Sequence, residues 1–225
     1  AQRLRLVRLR AGGPGAGLAQ RSLGGEPCEQ LLPSALHGLG SRLAAWPQLA
    51  ACGEDSGQAA EEARFLRPTA VRVAASGAFW LIADAWGHRV RRLDLASWNV
   101  RTVAGSGQAT ARVKRLAYRA YREGAGLGFL HVLEGGFRGD GGPATRARLS
   151  MPSDLALFPE DEESYLIADR MNHRVRRVRS GLIATVAGAG PPGRVCGSPG
   201  AGDGGPATAA RLSEPVGVEL LPGGS

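Results

Sequence analysis

A chain of 225 residues with 43% hydrophobic side chains can bury a core, which excludes a disordered tract. Its 34 glycines and 14 prolines favour short strands joined by tight turns over long helices. The net charge of +8 would alone suggest nucleic acid or an anionic surface, but Lys114 is the one lysine among 28 basic residues. Arginine, like alanine and glycine, is a residue that GC-rich coding over-uses, so charge by itself assigns no partner. Cys28, Cys52 and Cys196 are odd in number, widely spaced and without a CxxC, which supports neither a disulfide scaffold nor a zinc site. No apolar run approaches the ~18 residues of a spanning helix.

Residues 1–52 hold no recurring motif. Residues 1–25 carry five arginines and no acid, the composition of a transit peptide or of a GC-biased leader. Leucines and alanines over Glu29–Leu49 are loosely helical in spacing but interrupted by Pro33, Gly38, Gly40 and Pro47, which predicts a weakly helical or disordered leader. The chain starts at Ala1 and stops inside a repeat at Ser225, so a fragment is expected. No address is legible, and an intracellular setting is favoured.

Residues 53–108 are the first repeat unit. A degraded opening, DSGQAAEEARFLRP (Asp55–Pro68), precedes apolar stretches at Ala70–Ala74 and Phe79–Ala83. A turn at Asp84–His88 then leads into Arg89–Leu95, and TVAGSG (102–107) closes the unit. Residues 136–199 repeat that order, with GDGGPATRARLSMP (139–152), Asp154–Phe158, YLIAD (165–169), the turn Asp169–His173, RVRRV (174–178) and TVAGAG (185–190). Residues 200–225 begin a third copy with GDGGPATAARLSEP (202–215). Four short strands per unit, each apolar at consecutive positions, imply sheets buried on both faces. Between the two full units, residues 109–135 are an insertion. Val113, Leu116, Ala117, Ala120 and Tyr121 fall on one helical stripe, with Arg112, Lys114, Arg115, Arg119 and Arg122 around it, which predicts a basic amphipathic helix.

These units resemble NHL repeats, marked by an apolar strand ending in Ala-Asp, an Asn-His turn and then Arg-Val-Arg. Residues 165–178 match throughout, whereas residues 80–93 have Gly87 where the pattern has Asn, with Trp86 beside it. The resemblance implies an all-β fold, a partial β-propeller of two NHL blades and the start of a third, out of a ring of about six. The inserted helix and the leader complete that expectation.

No catalytic constellation, metal site or cofactor is read. His88 and His173 recur at one turn position without a second ligand at metal-binding spacing, so each is expected to bond the backbone of its own unit. Asp84 and Asp169 end strands where a carboxylate accepts backbone N–H groups. Asn172 completes the turn signature. Gly139, Asp140, Gly141 and Gly142, and again Gly202, Asp203, Gly204 and Gly205, form turns with one carboxylate each, too few oxygens for calcium. What the resemblance implies is a non-catalytic protein-interaction scaffold. Two alternatives stand beside it. One is RNA binding through a basic face of Arg91, Arg92, Arg176, Arg177 and the insertion's basic residues; the other is an enzyme with a metal in the propeller channel, like the lyase-like members.

Overall fold

The computed structural model describes residues 4–7, 20–23, 57–60, 62–107, 113–119, 127–133, 135–190 and 202–221. Within residues 1–52, expected to hold no strand, β1 (Leu4–Val7) and β2 (Gln20–Leu23) pair antiparallel. The weakly helical reading of Glu29–Leu49 lies outside the described residues.

The first unit runs β3 (Gln58–Ala59), β4 (Pro68–Val73), β5 (Phe79–Asp84), β6 (Arg89–Asp94) and β7 (Asn99–Ala104). The last four form an antiparallel meander, and β3 adds to the outer edge of β7. After an intervening pair, the second unit repeats the meander as β10 (Pro152–Leu157), β11 (Tyr165–Asp169), β12 (Arg174–Arg179) and β13 (Leu182–Ala187). Each sequence-predicted strand of the two units is present to within two residues at its ends. Even the irregularities repeat. The β4–β5 and β10–β11 ladders slip just after their leading prolines, at Pro68/Ala70 and Pro152/Asp154. The β6–β7 and β12–β13 ladders slip at Val90/Arg91 and Val175/Arg176.

The main core lies between the two sheets. Phe79, Leu81, Ala83 and Val90 of the first meet Leu155, Tyr165, Ile167 and Val178 of the second. Ile82, Leu93 and Val100 point the other way and pack with Ala60 and Ala63. The first sheet is therefore apolar on both faces, which is why its strands read as continuous runs rather than alternations. Equivalent positions show what stacking does. Leu81 and Val90 are buried, whereas their counterparts Leu166 and Val175, on the face that no second full sheet covers, are half-buried.

The insertion departs from expectation. Residues predicted as an amphipathic helix form β8 (Val113–Arg119), paired antiparallel over seven residues with β9 (Leu127–Leu133). A helical stripe of nine residues is marginal alone. The apolar run LGFLHVL, rich in strand-forming residues, supplies a cross-strand partner that outweighs local spacing. Among the described residues the regular helical elements are single 3-10 turns, Ala144–Arg146 and Arg170–Asn172, and no helix is long and apolar enough to cross a membrane.

Candidate interaction surface

The recurring residues converge on the seams. Asp84 Oδ1 accepts the Leu66 N–H at 2.6 Å, and Asp169 Oδ1 accepts the Ser150 N–H at 2.7 Å. Each strand-ending aspartate thus ties its turn to the segment that opens its own unit. The same two segments are joined again by backbone, Trp86 N–H to Leu66 O (2.9 Å) and Met171 N–H to Ser150 O (3.0 Å). Asn172 Nδ2 adds bonds to Asp169 Oδ2 and Gly136 O, both 2.8 Å. The first unit has no counterpart, because Gly87 stands at the matching position and has no side chain to donate.

The histidines act across units rather than within them, contrary to the sequence expectation. The Met151 N–H donates to His88 Nδ1, and the Glu214 N–H to His173 Nδ1, both at 3.1 Å. Both rings are buried, and both residues sit at positive φ, 52° and 56°. The turn aims each ring out of its unit and into the next. The residues that receive them, Met151 (φ 52°) and Glu214 (φ 44°), are also left-handed, as is Arg67 (φ 58°) at the matching place in the first unit. All three precede prolines. Non-glycine residues avoid this region, so the repeated exception marks backbone held in place by its bonds.

Three further bonds complete each seam. Thr69 Oγ1 donates to Pro152 O (3.2 Å) and Ser153 Oγ to Pro215 O (3.0 Å); the ladder slip after each proline re-aims these hydroxyls. The Gly105 and Gly188 N–H groups donate to Ala144 O and Ala207 O, both at 3.0 Å. The Ser106 and Ala189 N–H groups donate to Ala147 O and Ala210 O, at 2.7 and 2.8 Å. Residues 202–221 contain no strand, yet they occupy the second seam with the bonds that residues 142–152 make at the first. The GDGG turns serve the same end. Gly139 and Gly202 have φ of 93° and 98°, and Gly142 and Gly205 donate back to them at 3.1 Å. Asp140 reaches Arg176 at 2.5 Å and Thr185 at 2.7 Å, and Asp203 is exposed. Gly141 and Gly204 are at φ 79° and 80° in open space.

The arginines divide. Arg91 and Arg176, expected on a basic surface, are 1% and 0% exposed and cannot contribute to one. Arg91 Nη1 donates to Arg64 O and Arg176 Nη1 to Arg148 O, both 3.1 Å, again at equivalent positions. Arg92 is half-buried, 2.6 Å from Glu163 and stacked 3.7 Å over Phe79. Arg177 is exposed. Lys114, Arg115 and Arg119 lie along β8, whereas Arg112 and Arg122 fall outside the described residues. Strand period two explains the split, since adjacent arginines point to opposite faces. Sequence spacing missed the hydroxyls of Thr69 and Ser153 altogether. Their signal was the small polar residue following each repeated proline.

Asp169 is fully buried. Burial pushes its carboxyl from 3.8 up to about 6, against the pull of Arg176 (3.6 Å), the Asn172 amide and the Ser150 N–H. Because the folded value is raised, the contribution of this group to stability is complete below pH 3.8 and is lost as pH rises through 6. Between pH 4.5 and 7.5 that amounts to about 2 kcal/mol. Urea unfolding of the wild type and of Asp169→Asn across this range should therefore give a stability difference that drifts by that amount, the wild type losing relative ground at the higher pH. A constant difference would show that the ionised carboxylate is accommodated without cost.

Among the described residues, no group of three or more His, Cys, Asp and Glu could hold a metal ion. No protein-family model and no curated protein matches the chain. Among solved structures it is similar to an auxiliary nutrient binding protein from Bacteroides thetaiotaomicron VPI-5482, with 19% identity and a TM-score of 0.42 over 67% of this chain and 32% of that one. It is also similar to an auxiliary nutrient binding protein from Bacteroides ovatus ATCC 8483, with 16% identity and a TM-score of 0.39 over 65% of this chain and 31% of that one. The chain spans about a third of each, and likeness at this level carries no inference about family or activity. The chain is an all-β protein of two equivalent antiparallel units, stacked through a seam whose bonds recur between the second unit and residues 202–221.

Proposed function

We propose that the chain is a stretch of NHL-type β-propeller serving as a non-catalytic protein-interaction scaffold. The observation that carries this reading is the doubled seam. The signature histidines, hydroxyls and TVAG amides are engaged by the neighbouring unit, which gives them an architectural task and leaves recognition to what varies between units. Units added through such seams build a ring or arc whose rims are loops, the usual place for binding residues on a rigid scaffold. The paired strands β8 and β9 are the largest element that the second unit does not reproduce, so the partner is assigned to that insertion. The RNA reading loses two of its arginines to the core, and the channel-metal reading has two of its four histidines directed into seams.

Cross-linking mass spectrometry on the full-length protein tests this. Cross-links to a protein partner should map to residues 109–135 and vanish when that segment is replaced by a short Gly-Ser linker, while the far-UV spectrum keeps its β-sheet form. Recovery of nucleic acid that dissociates steeply between 50 and 200 mM salt, or metal-dependent turnover, would overturn the scaffold assignment.

A further inference from the structure

The lower seam between the two units carries polar groups that neither the repeat nor the scaffold reading uses. Arg92 and Arg101 are directly opposed across the β6–β7 ladder. Both lie on the face of the first sheet that packs against the second unit. Arg92 spends Nη1 on Glu163, and its Nε is buried without a partner. Arg101 is exposed and forms no hydrogen bond or ion pair with any described residue. Opposite them stands Tyr165. Its ring is part of the inter-sheet core, its residue is 4% exposed, and its hydroxyl is buried with no hydrogen-bond partner. Glu163, in the turn just before β11, reaches Arg92 across the seam, so the carboxylate and the phenol that reaches nothing face the same seam.

A buried hydroxyl without an acceptor is costly and is the exception in folded proteins. Nearby acids do not satisfy it. Glu163 is held by Arg92, and Glu162 is held by Ser76, whose N–H and hydroxyl both donate to it at 2.6 Å. We propose that this seam is an oxyanion site, in which Tyr165 donates its hydroxyl proton and Arg101 its guanidinium N–H groups to a phosphate or carboxylate ligand, with Arg92 fixed beside them by Glu163. Burial pushes the phenol well above its ordinary 10, so it remains a donor at any physiological pH. The inference is independent of the scaffold reading, because a site in the seam requires only that the two sheets be stacked.

The test is calorimetric titration of the full chain with inorganic phosphate and, separately, with acetate, each at constant ionic strength. Saturable binding is expected, weakened about tenfold by Tyr165→Phe and by Arg101→Gln, the loss of one charge-assisted bond. Without the anion, Tyr165→Phe should be as stable as the wild type or more so, because the hydroxyl it removes has no partner. Binding of phosphate but not acetate assigns a phosphate ligand, and binding of both assigns carboxylates as well. Equal binding by the wild type and both variants, or no saturable binding of either anion, overturns the site.

Discussion

Replacing Arg176 by methionine should lower the unfolding free energy by about 3–5 kcal/mol at neutral pH, the cost of removing one member of a buried charge network. Methionine keeps the length and apolar stem of the side chain, so the loss does not come from a cavity. It comes from what stays behind. The carbonyls of Arg148 and Arg138 each lose a donor, although Arg138 O keeps the Arg148 N–H, and Asp140 loses its ion pair. Asp169, fully buried, loses the cation 3.6 Å away that opposes its desolvation. That last group sets the pH dependence. Without Arg176 its carboxyl rises beyond about 6, it takes up a proton more readily, and the deficit relative to the wild type should shrink as pH falls from 8 to 5. Urea denaturation at those two pH values checks both points. Arg177→Met, at the exposed neighbour, should change stability by no more than about 0.5 kcal/mol. A loss at Arg176 below about 1 kcal/mol, or a larger one at pH 5, would show that it is not the anchor described.

That contrast also marks how far the sequence could be read. Recurrence alone placed the eight strands of the two meanders, because apolar runs such as WLIAD and YLIAD are followed each time by the same turn and basic strand. It also marks Asp84, Asp169, His88 and His173 as recurring turn positions. It did not identify their partners. A histidine in a turn bonds its own backbone or the next unit's with equal sequence plausibility, and the choice is made by the left-handed φ of His88 and His173, which no pattern displays. The arginine pairs mislead for a related reason. Two adjacent basic residues look like one charged patch, but a strand sends them to opposite faces, and Arg91 and Arg176 enter the protein where carbonyls are waiting. In the insertion, the helical stripe from Val113 is a local pattern, and the strand pairing that overrides it has its partner, Leu127–Leu133, beyond that window. The oxyanion seam was invisible for the same reason. Arg92 and Arg101 meet through register, and Tyr165 joins them through stacking.

Gly105→Ala should cost about 2–5 kcal/mol, although it adds a single methyl group. Two effects combine. The residue has φ of 84°, a conformation that costs an L-residue about 1–2 kcal/mol. The new Cβ would also collide with the carbonyl oxygen of His88 and crowd Arg89 Cα (3.0 Å) and Leu149 Cδ1 (3.1 Å), the kind of overpacking that costs about 1–3 kcal/mol. Because Leu149 belongs to the second unit, the methyl presses on both walls of the seam. Relief requires residues 104–107 and the His88 turn to move apart, which strains the Met151–His88, Gly105–Ala144 and Ser106–Ala147 bonds that these two segments make across the seam. Native-state hydrogen exchange should therefore lose protection at the amides of Met151, Gly105 and Ser106, while those inside the β11–β12 ladder keep theirs. Gly141→Ala separates the two contributions. It has φ of 79° but nothing within 4 Å of the added atom, so it should cost only about 1–2 kcal/mol and leave the seam amides protected. If both substitutions behave alike, the glycine of TVAG is kept for its backbone angle and not for the close approach of the His88 carbonyl.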